Sequence, residues 1–198
     1  MNKVYVEPMF VDLLMKTNLS DVINNNDQMV SRCQQIKDLF PYDSTWFCDT
    51  YNSLQTYNLK DDQLFKPLID LCTDSVIAFS KQYGINSCNV SCTDAWFNVA
   101  SPGNFQEFHI HNRSHFSVVY YASVVEGSGS IIFKNLQTSS DMFPLPKGDM
   151  QTTPNNTMYK YKPFNQDLLI FRSNLPHMVE KNNSSVERVS ISMNYILE

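Results

Sequence analysis

The feature that most constrains this chain is a change of hydrophobic period near residue 86. Before it, Leu64, Leu68, Leu71, Cys72, Val76, Phe79 and Tyr83 recur at steps of three and four, the spacing of an amphipathic helix. Asp61 or Asp62 is the candidate N-cap, Pro67 falls in the first turn and Gly84 is the stop signal. A second helical stretch is expected between about Ser20 and Phe40, its start weakened by Asn24, Asn25 and Asn26. After residue 86 the pattern becomes short runs of Val, Ile, Tyr and Phe. They are divided by Ser101-Pro102-Gly103-Asn104, Glu126-Gly127-Ser128-Gly129, Pro144-Leu145-Pro146-Lys147-Gly148 and Asn182-Asn183-Ser184-Ser185. Strands are predicted over 88–99, 105–111, 115–125, 129–135, 157–162, 167–172, 177–181 and 187–196. This many short strands predicts a mainly β fold, a double-sheet jelly roll with flanking helices over one outer face. The 198 residues suit a single domain, 1–198, with a mostly helical support region over 1–85 and the β core over 86–198.

Charge and cysteine usage narrow the class of partner. A net charge of −5 without any lysine or arginine run gives no broad basic surface for a nucleic-acid backbone. The opening stretch MNKVYVEPMFVDLLMK carries Glu7 and Asp12 within its apolar residues and lacks a small-residue cleavage pattern. No apolar run reaches bilayer length, so a soluble, cytoplasmic protein without a membrane partner is expected. The five cysteines are odd in number and lack CxxC spacing, which suits scattered reduced thiols rather than a disulfide frame.

Chemistry enters with Phe108-His109-Ile110-His111, followed much later by His177 and Arg188-Val189-Ser190. On a strand, residues i and i+2 share a face, so His109 and His111 can present two imidazoles to one ion. A third imidazole, His177, from a distant strand would complete one face of an octahedron, the arrangement by which non-haem iron enzymes leave positions open. In the last strand Arg188, Ser190, Ser192 and Asn194 alternate with Val189, Ile191, Met193 and Tyr195, giving one polar and one apolar face. A solvated strand would read the same way. An arginine and a serine at the head of that face can instead grip a carboxylate, the guanidinium through two parallel bonds. The competing readings are two surface histidines near a turn, and an ordinary ion pair of Arg188 with Glu187 or Glu180. His115, four residues beyond His111 across an expected turn, does not belong to the expected ligand set.

With Trp96-Phe97-Asn98, His109-Ile110-His111-Asn112-Arg113-Ser114, Phe116-Ser117-Val118-Val119-Tyr120-Tyr121, the run from Leu169 to His177 and the run from Arg188 to Asn194, the chain resembles the 2-oxoglutarate and Fe(II)-dependent dioxygenases. Within them it is most similar to a family of bacterial and marine-phage oxygenases. The likeness covers about residues 94 to 195. It implies a double-stranded β-helix (cupin-like), with Fe(II) on His109, His111 and His177. The cosubstrate 2-oxoglutarate would be held by Arg188 and Ser190, and the partners would be dioxygen and an unidentified organic or peptidyl substrate. The implied reaction is hydroxylation of a C–H bond with release of succinate and CO2, in a phage-encoded or bacterial protein of the cytoplasm. Tyr121 corresponds to a tyrosine that reaches the same carboxylate in related hydroxylases, and Ser117 shares its strand face, whereas Tyr120 should face the apolar layer. Asn98 is either a cosubstrate contact or a buried amide tying strands together, and Glu107 is either an inward carboxylate or a rim residue.

The chain departs from the superfamily pattern at His111, where an aspartate or glutamate is commonest, so a neutral nitrogen would leave the iron more positive. Val118 stands where the narrower family often has glycine and is expected to narrow the pocket. Segment 136–156 is expected to form a loop over the mouth. Two other functions fit the same residues: a three-histidine cupin-type metalloenzyme that does not use 2-oxoglutarate, and a noncatalytic jelly-roll binding or virion protein. Oligomeric state is open, and a homodimer is compatible with the sequence.

Overall fold

The computed structural model describes residues 3–41, 47, 49–136 and 156–198. All eight expected strands form: β3 (Val90–Ala100), β4 (Gln106–His109), β5 (Phe116–Ser123), β6 (Ile131–Lys134), β7 (Met158–Tyr161), β8 (Asp167–Arg172), β9 (His177–Val179) and β10 (Arg188–Leu197). The front of the chain adds β1 (Leu14–Asn18), α1 (Asn26–Leu39), β2 (Tyr51–Asn52) and α2 (Lys66–Ser80). The larger sheet runs β1-β8-β5-β10-β3-β2 and the smaller β4-β9-β6-β7, and every strand pairing is antiparallel. From β3 onward the chain steps between the sheets, except for β6 and β7, which are neighbours in the smaller one. This mainly β architecture of two facing sheets is a jelly roll, the double-stranded β-helix.

Strand alternation divides the larger sheet into two buried faces. Phe97 and Val99 of β3, Phe116, Val118 and Tyr120 of β5, Leu168 and Ile170 of β8, and Ile191, Met193 and Tyr195 of β10 share one apolar cluster with Met29, Cys33 and Ile36 of α1 and Leu68, Cys72, Val76 and Phe79 of α2. The helices therefore cover the outer face of the larger sheet. Their neighbours in sequence point the other way: Val119, Tyr121, Leu169 and Phe171 join Ile131 and Phe133 of the smaller sheet and Leu175 in a second cluster between the sheets. Val118 thus packs under the helices rather than narrowing the pocket, whereas Tyr120 faces the apolar layer as expected.

Three details of the front third differ from the sequence pattern. First, the α2 N-cap position is Phe65, which supplies no side-chain cap. Asp62 instead accepts the Leu64 N–H at 3.1 Å and pairs with Arg32 of α1 at 2.9 Å, tying the two helices' approaches together. Second, α1 starts in the asparagine run because Asn26 is anchored: its amide donates to Ala122 O at 2.9 Å and its Oδ1 accepts from Tyr120 Oη at 2.9 Å. Third, β1 and β2 form the two edges of the larger sheet. Among the described residues no helix is long and apolar enough to cross a membrane.

Candidate metal and carboxylate site

The three histidines meet between the sheets because of strand register. His109, the last residue of β4, pairs directly with His177, the first of β9, and His177 also faces Phe133 of β6. His111 follows just past β4, its N–H held by Ser173 O at 2.9 Å. Ring centroids lie 5.3 Å (His109 to His111), 4.2 Å (His109 to His177) and 5.1 Å (His111 to His177) apart. One nitrogen from each falls within 4.8 Å of the others, a grouping that could hold a metal ion.

The orientation of each ring is set from behind. Nδ1 of His109 sits 2.8 Å from Glu107 O, and Nδ1 of His177 sits 2.9 Å from Leu175 O. Nδ1 of His111 sits 2.7 Å from Asn194 Oδ1. A carbonyl oxygen can only accept, so each Nδ1 carries the proton and each lone pair resides on Nε2. Burial pushes all three pKa values below the ordinary imidazole value, His111 to about 4, which keeps the rings neutral, the state a metal needs. Trp96 packs 5.5 Å from the His111 ring and Phe171 packs edge-on 4.8 Å from His177.

The same cavity is lined by Trp96, Val119, Tyr121, Ile131, Arg188 and Ser190 beside the histidines. Arg188 is only 3% exposed. Its Nη1 donates to Ser128 O at 2.8 Å, and its Nε has no hydrogen-bond partner among the described residues. The two acids expected as its ion-pair partners, Glu187 and Glu180, are occupied elsewhere. Glu187 accepts from Lys37 at 2.6 Å and from Ser101 and Gln34 at 2.8 Å, and Glu180 pairs with Lys160 at 2.6 Å. The Tyr121 and Ser128 hydroxyls are likewise buried without a hydrogen-bond partner among the described residues. A buried cation without an anion is costly, and burial pulls the Arg188 pKa down, partly offset by Tyr121. Two donors of buried carboxylate-binding type thus end at the cavity with unspent capacity.

Other expected site residues occupy distinct positions. Ser190 lies on the cavity wall. Asn98 also lines it, while its amide accepts from Asn52 at 2.9 Å and donates to Ser192 Oγ at 3.3 Å, bridging β2, β3 and β10. Ser117 is fully buried behind the His111 ring, within 2.8 Å of both His111 Nδ1 and Ser173 Oγ. It supports the imidazole and is not on the cavity wall with Arg188. Glu107 Oε1 accepts the Phe47 N–H at 2.9 Å, and His115 Nδ1 accepts the Leu197 N–H at 3.0 Å, outside the cluster. Segment 136–156 lies, save its two end residues, outside the described residues. Sequence reading missed Ser128 and Asn194. For Ser128 the only signal is its flanking glycines: Gly129 adopts φ +93°, and a Cβ there would lie 2.3 Å from Glu180 O and 3.2 Å from Arg188 Nη1.

Residues 94–194 match the family model described as "Putative 2OG-Fe(II) oxygenase", just over half of the chain. The chain belongs to this oxygenase family. No curated protein matches the oxygenase in sequence, but solved structures match its fold. A Pseudomonas putida prolyl-4-hydroxylase aligns with TM-score 0.63 at 12% identity over 92% of both chains. A Trichoplax adhaerens prolyl hydroxylase, solved with a hypoxia inducible factor peptide fragment, aligns with TM-score 0.64 at 15% identity over 92% of this chain and 83% of its own. The α-ketoglutarate-dependent epimerase SnoN of nogalamycin biosynthesis gives TM-score 0.62 at 13% identity over 93% and 76%. At such identities the likeness is one of fold. The family implies Fe(II) and 2-oxoglutarate, and the donor set fits both: three neutral imidazoles for the ion, and a buried guanidinium and phenol with unmatched hydrogen-bonding capacity for a carboxylate.

Proposed function

We propose that this oxygenase hydroxylates a C–H bond of a peptidyl, amino-acid or other small organic substrate, consuming 2-oxoglutarate and dioxygen. His109, His111 and His177 would hold Fe(II) through Nε2, and Arg188, assisted by Tyr121 and Ser190, would hold the distal carboxylate of 2-oxoglutarate. When bound, this pair supplies the oxidising power: the keto acid leaves as succinate and CO2, and one oxygen atom of dioxygen enters the substrate as hydroxyl.

The protein's own contribution is binding, orientation and exclusion of water. Arg188 gains most when a carboxylate arrives, because a charge-assisted pair replaces an unpaired buried charge. Val119, Ile131 and Val179 on the cavity wall keep that end dry, which strengthens the pair. The backbone carbonyls of Glu107 and Leu175 and the Asn194 amide hold the rings at fixed angles, so little reorganisation is required on binding. The front third and the β core act as one domain in this reading, since α1, α2, β1 and β2 complete the larger sheet and its cover. Reduced thiols at Cys33, Cys72, Cys88 and Cys92 accord with a reducing, cytoplasmic setting.

The observation that carries the proposal is the buried Arg188, paired with no acid among the described residues, in the same cavity as three converging imidazoles. It also weighs against a cupin-type enzyme that needs no keto acid and against a noncatalytic jelly roll, neither of which calls for a buried, unmatched guanidinium. Incubation of the purified protein with Fe(II), oxygen and 2-oxoglutarate is expected to yield succinate even without the physiological substrate. Iron uptake with no succinate would favour the keto-acid-independent enzyme, and no iron uptake the binding protein. Hydroxylation itself is tested by mass spectrometry of candidate peptides and amino acids for a gain of one oxygen.

A further inference from the structure

The three imidazoles are not oriented alike. His109 and His177 direct Nδ1 to backbone carbonyls two residues earlier in their own strand segments, partners that local chain geometry supplies. His111 directs Nδ1 to a side chain from another strand, Asn194 of β10 at 2.7 Å, with Ser117 Oγ also at 2.8 Å. A serine hydroxyl can donate or accept, so Ser117 alone would permit either tautomer of the ring. The Asn194 amide can impose one, provided that its oxygen faces the ring. That provision is met by Asp94, whose carboxylate takes the Asn194 Nδ2 at 3.4 Å and is itself tied to Thr93 Oγ1 at 2.8 Å. A carboxylate accepts only, so the amide nitrogen turns toward Asp94 and the oxygen toward His111. Ser117 completes the enclosure through Ser173 at 2.8 Å, and Ser173 through Ser114 at 2.9 Å.

We propose that Asn194, oriented by Asp94, is a positioning residue that fixes His111 in its Nδ1–H tautomer and so commits Nε2 of that ring to the metal. The function of the device rests on the metal reading above, whereas the tautomer it sets does not. It acts on the one ligand position that departs from the superfamily pattern. There a ring, unlike a carboxylate, can present the wrong atom.

The test uses the full chain in two arms. In the metal-free protein at neutral pH, long-range 1H–15N NMR of the imidazoles should show His111 protonated on Nδ1. Asn194→Leu, close in size, should shift that ring to a mixture or to the Nε2–H form with His109 and His177 unchanged. The exchange Asn194→Asp with Asp94→Asn, which keeps an acceptor toward the ring and a donor behind it, should preserve the wild-type tautomer. In the second arm, Co(II) affinity measured anaerobically should fall about 10–100-fold in Asn194→Leu, the usual cost of losing a residue behind a ligand, and be largely kept in the Asn194→Asp, Asp94→Asn exchange. An unchanged His111 tautomer in Asn194→Leu overturns the proposal. Should that variant not fold, Asp94→Asn, which lets the amide turn over, takes its place and should give a mixed His111 tautomer, with a single Nδ1–H form overturning the proposal. Wild-type protein that takes up no Co(II), yet shows the expected tautomer change, would overturn the metal reading and leave the Asn194 assignment standing.

Discussion

The two faces of β10 are both buried and chemically opposite. Toward the helices, β10 presents Val189, Ile191, Met193 and Tyr195 to an apolar cluster. Toward the smaller sheet the same strand presents Arg188, Ser190, Ser192 and Asn194, each no more than 9% exposed. The helix-side face is where burial stabilises the fold, with each large apolar side chain contributing about 1.5–3 kcal/mol. On the cavity side Arg188 Nε and the Tyr121 hydroxyl have no hydrogen-bond partner among the described residues, and each such buried polar atom costs roughly 1–3 kcal/mol. One strand therefore holds the molecule together along one row of side chains and gives up stability along the other for the sake of binding.

The comparison is broken most sharply by substitutions that touch one face only. His177→Ala removes one of three ligands and should abolish stoichiometric metal uptake, a larger effect than the roughly 10–100-fold of residues behind the ligands. Metal analysis after anaerobic reconstitution checks it. Ile191→Ala, on the opposite face, should do the reverse, costing about 2–5 kcal/mol in chemical denaturation while 2-oxoglutarate affinity stays unchanged. Arg188→Met should show both signs at once. Affinity for 2-oxoglutarate should fall about 30-fold or more, as for truncation of a buried charged pair. The ligand-free protein should gain about 1–4 kcal/mol, as when an apolar side chain of similar size replaces buried charge.

The smallest expected effect lies outside both faces. Burial alone would raise the Glu187 pKa, but Lys37, Ser101 and Gln34 together hold it below the usual carboxylate value. A depressed folded-state pKa stabilises the protein above the unfolded-state value, and that contribution disappears as pH falls through the folded one. For a partly exposed pair it amounts to about 1 kcal/mol or less. Glu187→Gln should accordingly flatten the decline in stability below about pH 4.5 without changing metal or cosubstrate binding.

Much of this division is legible in the sequence. The β8 strand, predicted over 167–172, forms as Asp167–Arg172, because an apolar run bounded by turn residues admits few other readings. The alternation of β10 separates its two faces, and the His109, His111, His177 and Arg188 order puts the key side chains on the page. What alternation does not reveal is what covers each face: a polar row against solvent and a polar row against a cavity are written alike. The pairing of His111 with Asn194 depends on register between distant strands. Ser128 acts through a loop carbonyl that receives Arg188, and loop geometry leaves only flanking glycines as a trace. Ser117 shares a strand face with Tyr121, yet lies behind a ring rather than beside the guanidinium. Two-residue β2 and edge strand β1 are too short or too irregular in pattern to stand out from a helical front.

The account depends most on the metal end and the guanidinium end belonging to one site. Anaerobic titration of the Fe(II)-loaded protein with 2-oxoglutarate, followed by visible absorption, addresses this directly. The account predicts a weak, saturable metal-to-ligand charge-transfer band for the wild type, with Arg188→Met requiring far more 2-oxoglutarate to reach the same band. Absence of the band, or a band of identical affinity in Arg188→Met, would contradict it.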